Sequence, residues 1–162
     1  MPALGDPRLT VTTARTEVGA RRRWMSMLAL APLEELEARW AALEDRPRYE
    51  MLRRPEVGLV MVRGRAGGTG ARFNLGEMTV TRCTVQLADG TLGHAWIGGR
   101  DHRHAELAAV FDGLLQDPAR TAALTASLVE PLAGVREARR EAARARVAAS
   151  RVEFFTMVRG DD

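Results

Sequence analysis

The stretch Glu77–Gly99, EMTVTRCTVQLADGTLGHAWIGG, limits the fold more than any other part of the chain. Its first half is rich in β-branched residues, Ala88-Asp89-Gly90 is a turn signal, and TLGHAWIGG (91–99) returns. Two strands joined by so short a turn run antiparallel. Upstream, YEMLR (49–53), a turn at Arg54–Val57 and GLVMVRGR (58–65) read as a further hairpin.

On either side the period becomes helical. A loose tail over 1–15 is expected to give way to a helix over Glu17–Leu30. Pro32 suits the first turn of a second helix, in which Leu33, Leu36, Trp40 and Leu43 form an apolar stripe that ends at Asp45-Arg46-Pro47. Asp101 caps a helix reaching about Gln116, with Leu107, Val110, Phe111 and Leu114 inside. Asp117-Pro118 starts the next helix, Pro131 breaks or kinks it, 133–150 is an Ala/Arg/Glu helix, and RVEFFTMV (151–158) reads as a last strand. The fold class is therefore α+β: an antiparallel sheet with N-terminal, central and C-terminal helices packed on it and a final C-terminal strand. At 162 residues this is one domain, over 21–162, preceded by a flexible extension over 1–20.

All 24 basic residues are arginine. That excludes Schiff-base chemistry and a phosphate-loop lysine. Cys83 is the sole cysteine, so an intrachain disulfide or a cysteine metal cluster is excluded. RRRWMSMLALAP has the outline of a signal peptide, but its apolar run is short, it contains Ser26, and Pro32 follows the would-be cleavage site. Trp24, Met27, Leu28 and Ala31 share a helical face instead, and no stretch is long enough to span a membrane. A cytoplasmic location is expected.

The glycine-rich GRAGGTGARF (64–73) raises the question of a nucleotide site. A Walker-type loop needs a lysine and a following helix, and here there is no lysine and a strand follows. The dinucleotide fingerprint fails for want of the same helix. The local reading is a strand-to-strand turn, with Arg63, Arg65 and Arg72 free to meet phosphate at a partner's active-site edge. The candidate phosphate set is Arg65, Gly67, Gly68, Thr69, Gly70, Arg72 and Arg100. In GRDHRHAE (99–106), His102 and His104 lie i, i+2 and so point about 200° apart on a helix, which disfavours a shared metal ion. No metal site is expected. His104 is either a hydrogen-bonding core residue or a catalytic base. The arginines of the last helix (136, 139, 140, 144, 146) are offset by Glu137 and Glu141 without interleaved aromatics, which argues for a solvated face and against nucleic-acid binding. If 151–158 is a strand, Phe154 and Phe155 point to opposite faces and both must be covered. Phe154, Phe155, Met157 and Arg159 are accordingly expected at a partner interface.

RRWMSMLA, GLVMVRGRAGGTGARFNLGEMTVTR, DGTLGHAWIGGRDHRHAE and SRVEFFTMVRGD together resemble the PhnG family, a subunit of the bacterial carbon–phosphorus lyase core complex. The resemblance runs from about Arg22 to Asp161, and His104 falls in a shared Arg-Asp-x-x-His-Ala-Glu. It implies an obligate assembly with PhnI-, PhnH- and PhnJ-type subunits, to which PhnL and PhnK ATPase-like proteins relate. It implies phosphonate catabolism in which an alkylphosphonate joins C1′ of the ribose of ATP and adenine leaves. Nucleosidase-like chemistry belongs to the I-type subunit and radical iron–sulfur chemistry to the J-type. This chain is then expected to be a non-catalytic or accessory subunit without a cofactor of its own. The alternative is that it lends phosphate-binding or acid–base residues to the active site.

Overall fold

The Ala88-Asp89-Gly90 turn closes as expected. Gly90 takes φ +89°, and the Thr91 N–H donates to the Asp89 carboxylate at 2.9 Å. That backbone bond holds the Asp89 carboxyl below the usual carboxylate range. The turn joins two strands of a three-stranded antiparallel sheet. The structure, a computed structural model, describes residues 7–66 and 70–149, with side chains over 18–66 and 70–148. The chain runs α1 (Pro7–Leu28), α2 (Leu33–Ala41), β1 (Tyr49–Gly64), β2 (Phe73–Leu87), β3 (Leu92–Gly98), α3 (His102–Leu114), α4 (Pro118–Leu124), a π turn (Thr125–Val129) and α5 (Glu130–Ala149). The fold is α+β. The expected final strand over 151–158 lies outside the described residues.

Two boundaries differ from the sequence reading. α1 begins at Pro7, well before Glu17, because proline fits the first helical position and no breaker follows it for more than two turns. β1 is one strand, and the turn expected at Arg54–Val57 does not form. β1 pairs with β2 from Tyr49↔Leu87 to Gly64↔Phe73, with register shifts between Met51 and Arg53, between Arg53 and Glu56, and between Val62 and Arg63. Among the described residues the sheet order β1-β2-β3 makes β1 an edge strand, so the missing N–H of Pro55 breaks no ladder bond that this sheet requires. The surplus residues bulge instead of turning. The Glu56 carboxylate bonds both Arg53 and Arg82, which ties the bulge to β2.

Pro131 does not end its helix. The preceding turn widens, the Glu130 N–H reaches back to the Thr125 carbonyl, and Pro131 becomes the second residue of α5. A wider turn frees the carbonyl with which the proline ring would otherwise collide. At the other helix starts, Asp101 accepts the His104 N–H at 2.9 Å and Asp117 accepts the Ala119 N–H at 2.9 Å. These are the caps expected from sequence.

α3 is the central element. Ala105 and the whole of Leu107–Leu115 are buried, so this helix is enclosed on all sides. One side rests on β2 and β3 and the other meets α1 and α2. Gly93 sets how closely it approaches the sheet: a β-carbon there would lie 2.0 Å from the Ala109 carbonyl oxygen and 2.8 Å from the Gly113 nitrogen. Helix backbone and strand backbone are thus in direct contact. Over α3, Trp40 meets Phe111 edge-to-face at 6.5 Å and Tyr49 at 6.1 Å.

Asp112 is fully buried within this apolar helix. Its carboxylate accepts four hydrogen bonds: from Arg21 Nε at 3.2 Å and Nη2 at 2.7 Å, from the Trp24 indole N–H at 2.9 Å and from the His94 backbone N–H at 2.9 Å. One side chain therefore fastens α1, β3 and α3 together.

Truncating Asp112 strands two buried donors and a cation, so Asp112→Ala should cost about 3–5 kcal/mol and lower the thermal midpoint by roughly 10 °C in a circular-dichroism melt. The exposed Arg23–Glu130 pair, at 2.7 Å, should leave the midpoint near its original value when Arg23 becomes Ala. Gly93→Ala should cost about 3 kcal/mol or more, because backbone and not a flexible side chain must yield. Gly113→Ala, which meets only the end of Leu87 at 3.1 Å, should cost clearly less in the same assay.

Candidate functional site

β2 outruns β3. The β2–β3 ladder ends at Val80↔Gly98, with one further bond from the Gly99 N–H to the Thr79 carbonyl. Beyond it, Leu59–Gly64 and Phe73–Met78 form a two-stranded ribbon about 20 Å long at 3.3 Å per residue. Arg63, Arg65 and Arg72 stand exposed near its end and have no ion-pair partner among the described residues. Gly70, at φ +87°, bends the chain there. Gly67, Gly68 and Thr69 lie outside the described residues. Arg100 is exposed between β3 and α3, at the root of the ribbon, so about 20 Å separates it from Arg72. Of the described members of the expected phosphate set, Arg65, Gly70 and Arg72 lie at the ribbon's far end and Arg100 at its root.

His104 is held inside the helix layer. Its Nε2 donates to the Leu28 carbonyl at 2.8 Å, which satisfies the end of α1. The ring thus joins α3 to α1, and its Nε2 is committed. His102 is exposed. His94 lies on the other face of the sheet, with Nδ1 3.2 Å from Thr84 Oγ1. No group of three His, Cys, Asp or Glu side chains that could hold a metal ion exists among the described residues. Cys83 is buried and donates to the Arg53 carbonyl at 3.4 Å, and burial pushes its thiol up to about 11.

The sequence reading missed a polar recess where β1 meets the start of α3. It is open, about 870 Å³, and lined by Tyr49, Arg54, Pro55, His102, Arg103 and Glu106 among others. Tyr49 donates to Glu106 Oε1 at 2.6 Å, and Arg103 donates to Oε2 at 2.9 Å. Both oxygens of Glu106 are occupied, so it is no free base. Arg54 and His102 are exposed and have no hydrogen-bond or ion-pair partner among the described residues. The one signal for this recess was the chain's sole tyrosine, placed just before an Arg-Arg-Pro. A second hollow, about 290 Å³, lies between Met27–Pro32 and the Leu132–Ala143 stretch of α5. It is apolar, with Arg136, Arg139 and Arg140 at its rim, and Arg136 is anchored to Ser26 Oγ at 3.1 Å. On the rest of α5, Arg140 and Arg144 each lie 3.7 Å from Glu137.

Burial first, and then the bond to Glu106, push the Tyr49 phenol from 10.0 up to about 12. Its pKa is raised in the fold, so the stability it contributes is full below pH 10 and is lost as pH rises towards 12. Following the tyrosinate absorbance of this single-tyrosine chain should give a midpoint near 12 when folded and near 10 in denaturant. Glu106→Gln should lower the folded midpoint only part of the way, because burial remains.

No described helix is long and apolar enough to cross a membrane. Residues 19–160 match the family model described as phosphonate metabolism protein PhnG. The chain is also 48% identical over 145 residues to the protein named alpha-D-ribose 1-methylphosphonate 5-triphosphate synthase subunit PhnG from Rhizobium meliloti (strain 1021), covering 90% of this chain and 92% of that one. With the family model spanning most of the chain and a relative this similar over nine-tenths of both lengths, the chain belongs to the PhnG family.

Proposed function

We propose that this chain is the G subunit of an alpha-D-ribose 1-methylphosphonate 5-triphosphate synthase and works only as part of that assembly. The similarity over nine-tenths of both chains carries the reading. The assembly joins methylphosphonate to C1′ of the ribose 5-triphosphate portion of ATP: a C1′–O bond forms, the C1′–N bond breaks, and adenine leaves with the bond's electron pair. PhnI-, PhnH- and PhnJ-type subunits are its partners, with PhnL- and PhnK-type ATPase-like proteins associated, in a cytoplasmic complex. Three inward-facing side chains of acid–base type support an accessory role. Asp112, Glu106 and His104 each have a structural bond that a reaction would have to break. Phe154, Phe155, Met157 and Arg159 are proposed to face a partner.

Reconstitution of adenine release from ATP and methylphosphonate tests this. The other subunits alone should show little release, and adding this chain should restore it. Arg65→Ala, Arg72→Ala, Arg100→Ala and His104→Ala should each keep the turnover per assembled complex within about threefold, which is under 1 kcal/mol. An intact complex whose turnover falls a hundredfold or more with any one of them would instead place that residue at the reaction.

A further inference from the structure

The ribbon is greasy where no other described residue covers it. On one face Val57, Leu59 and Met61 follow one another, with Leu59 63% and Met61 53% exposed. They continue the row that α3 covers further down the sheet, but the helix layer stops short of them. On the other face Met78 is exposed, beside half-buried Val60 and Val62. Leu75, 64% exposed, and Phe73 cap the far end, with Leu75 folded over Gly64. A two-stranded ribbon with no third strand or helix is marginal in water. Among the described residues neither of its strand edges has a neighbour. Hydrophobic residues on both faces of an unsupported ribbon are the pattern of an element that completes its burial in another protein.

The charges say what kind of protein. Against Arg63, Arg65 and Arg72, the ribbon's described residues carry one acid, Glu77. None of the three arginines is neutralised within the described part of the chain. An unpaired arginine cluster next to an apolar stem fits a cleft that is apolar inside and bears carboxylates at its far end.

We propose that the ribbon Leu59–Gly64/Phe73–Met78 is the arm by which this chain inserts into another subunit of its synthase, in an apolar cleft whose carboxylates receive Arg63, Arg65 and Arg72. This rests on the subunit reading above and adds the surface and the chemistry of its counterpart. A basic partner or a purely apolar one does not match. A second copy of this chain is a poorer match, because its own ribbon offers a single carboxylate, Glu77, to three arginines.

The test is co-expression of the tagged full-length chain with the other subunits of its synthase, with recovery of each subunit read after purification. Three variants are compared with the unaltered chain: Leu59→Asp with Leu75→Asp, Arg63→Glu with Arg65→Glu and Arg72→Glu, and Trp96→Asp on the open sheet face as a control. The arginine variant alters only exposed tip side chains and keeps the test decisive if the leucine variant misfolds. Thermal midpoints of the variants are read alongside. The unaltered chain and Trp96→Asp should recover their partners in full. Both ribbon variants should lose recovery at least tenfold, and the unaltered complex should weaken as salt rises. Full recovery with the arginine variant overturns the acidic cleft. Full recovery with a folded leucine variant overturns the ribbon as the arm while the subunit reading stands. If the unaltered chain recovers no partner, the subunit reading and this inference both fall. If it elutes as a dimer that the ribbon variants dissolve, self-association replaces the inference.

Discussion

The Asp112 carboxylate is the constraint on which the architecture turns. An ionised group taken wholly out of water is tolerable only when its oxygens are fully bonded. Here the bonds come from Arg21 and Trp24 on α1 and from the backbone of β3. Their directions fix where α1 crosses α3 and where α3 sits along the strand. Gly93 then removes the one side chain that would hold helix and strand apart. The ordinary core, with Leu107, Val110 and Phe111 fully buried, supplies most of the apolar burial, but it does not by itself choose a single register.

Around that fastening, the molecule distributes its polar chemistry unevenly. Inward side chains of catalytic type hold the structure together: His104 closes α1, Glu106 takes both Tyr49 and Arg103, and Cys83 is a neutral thiol under the bulge. Outward, the unpaired groups are mainly arginines, at the ribbon tip, at the mouth of the recess and at Arg100. The open sheet face adds Trp96, 52% exposed, with the Arg82 guanidinium 5.6 Å from its ring centre. A chain that commits Asp112, Glu106 and His104 to its own fold and leaves a cluster of arginines unpaired at the ribbon tip among the described residues is built to be held by something else.

What the sequence disclosed follows the range of the interactions concerned. The Asp101 and Asp117 caps, the turn at Asp89-Gly90 and the inner face of α3 are set within a few residues, and each was readable. The bulge in β1 was misread as a turn because Arg54-Pro55 carries the local marks of one, and only the position of β1 at the sheet edge makes an extended proline acceptable. The ties between Arg21 and Asp112 and between Tyr49 and Glu106 join residues far apart in sequence, and no periodicity announces them. An aspartate inside LAAVFDGLL was the visible trace of the first: a lone acid in an otherwise apolar run of α3 needs donors from elsewhere. For the candidate site, the arginines around the glycine loop were legible as residues but not as a place, because their distance from Arg100 depends on how far β2 outruns β3.

The kinked margin of β1 bears on how this chain survives before it is assembled. A long flat border strand invites lateral stacking of identical chains into fibrils. Between Met51 and Glu56 the border is interrupted twice, carries a proline and displays Arg53 and Arg54. Its longest unbroken run is Glu56–Val62. A newly made polypeptide is therefore guarded against zippering along half its margin, and the other half stays sticky only until its neighbours arrive.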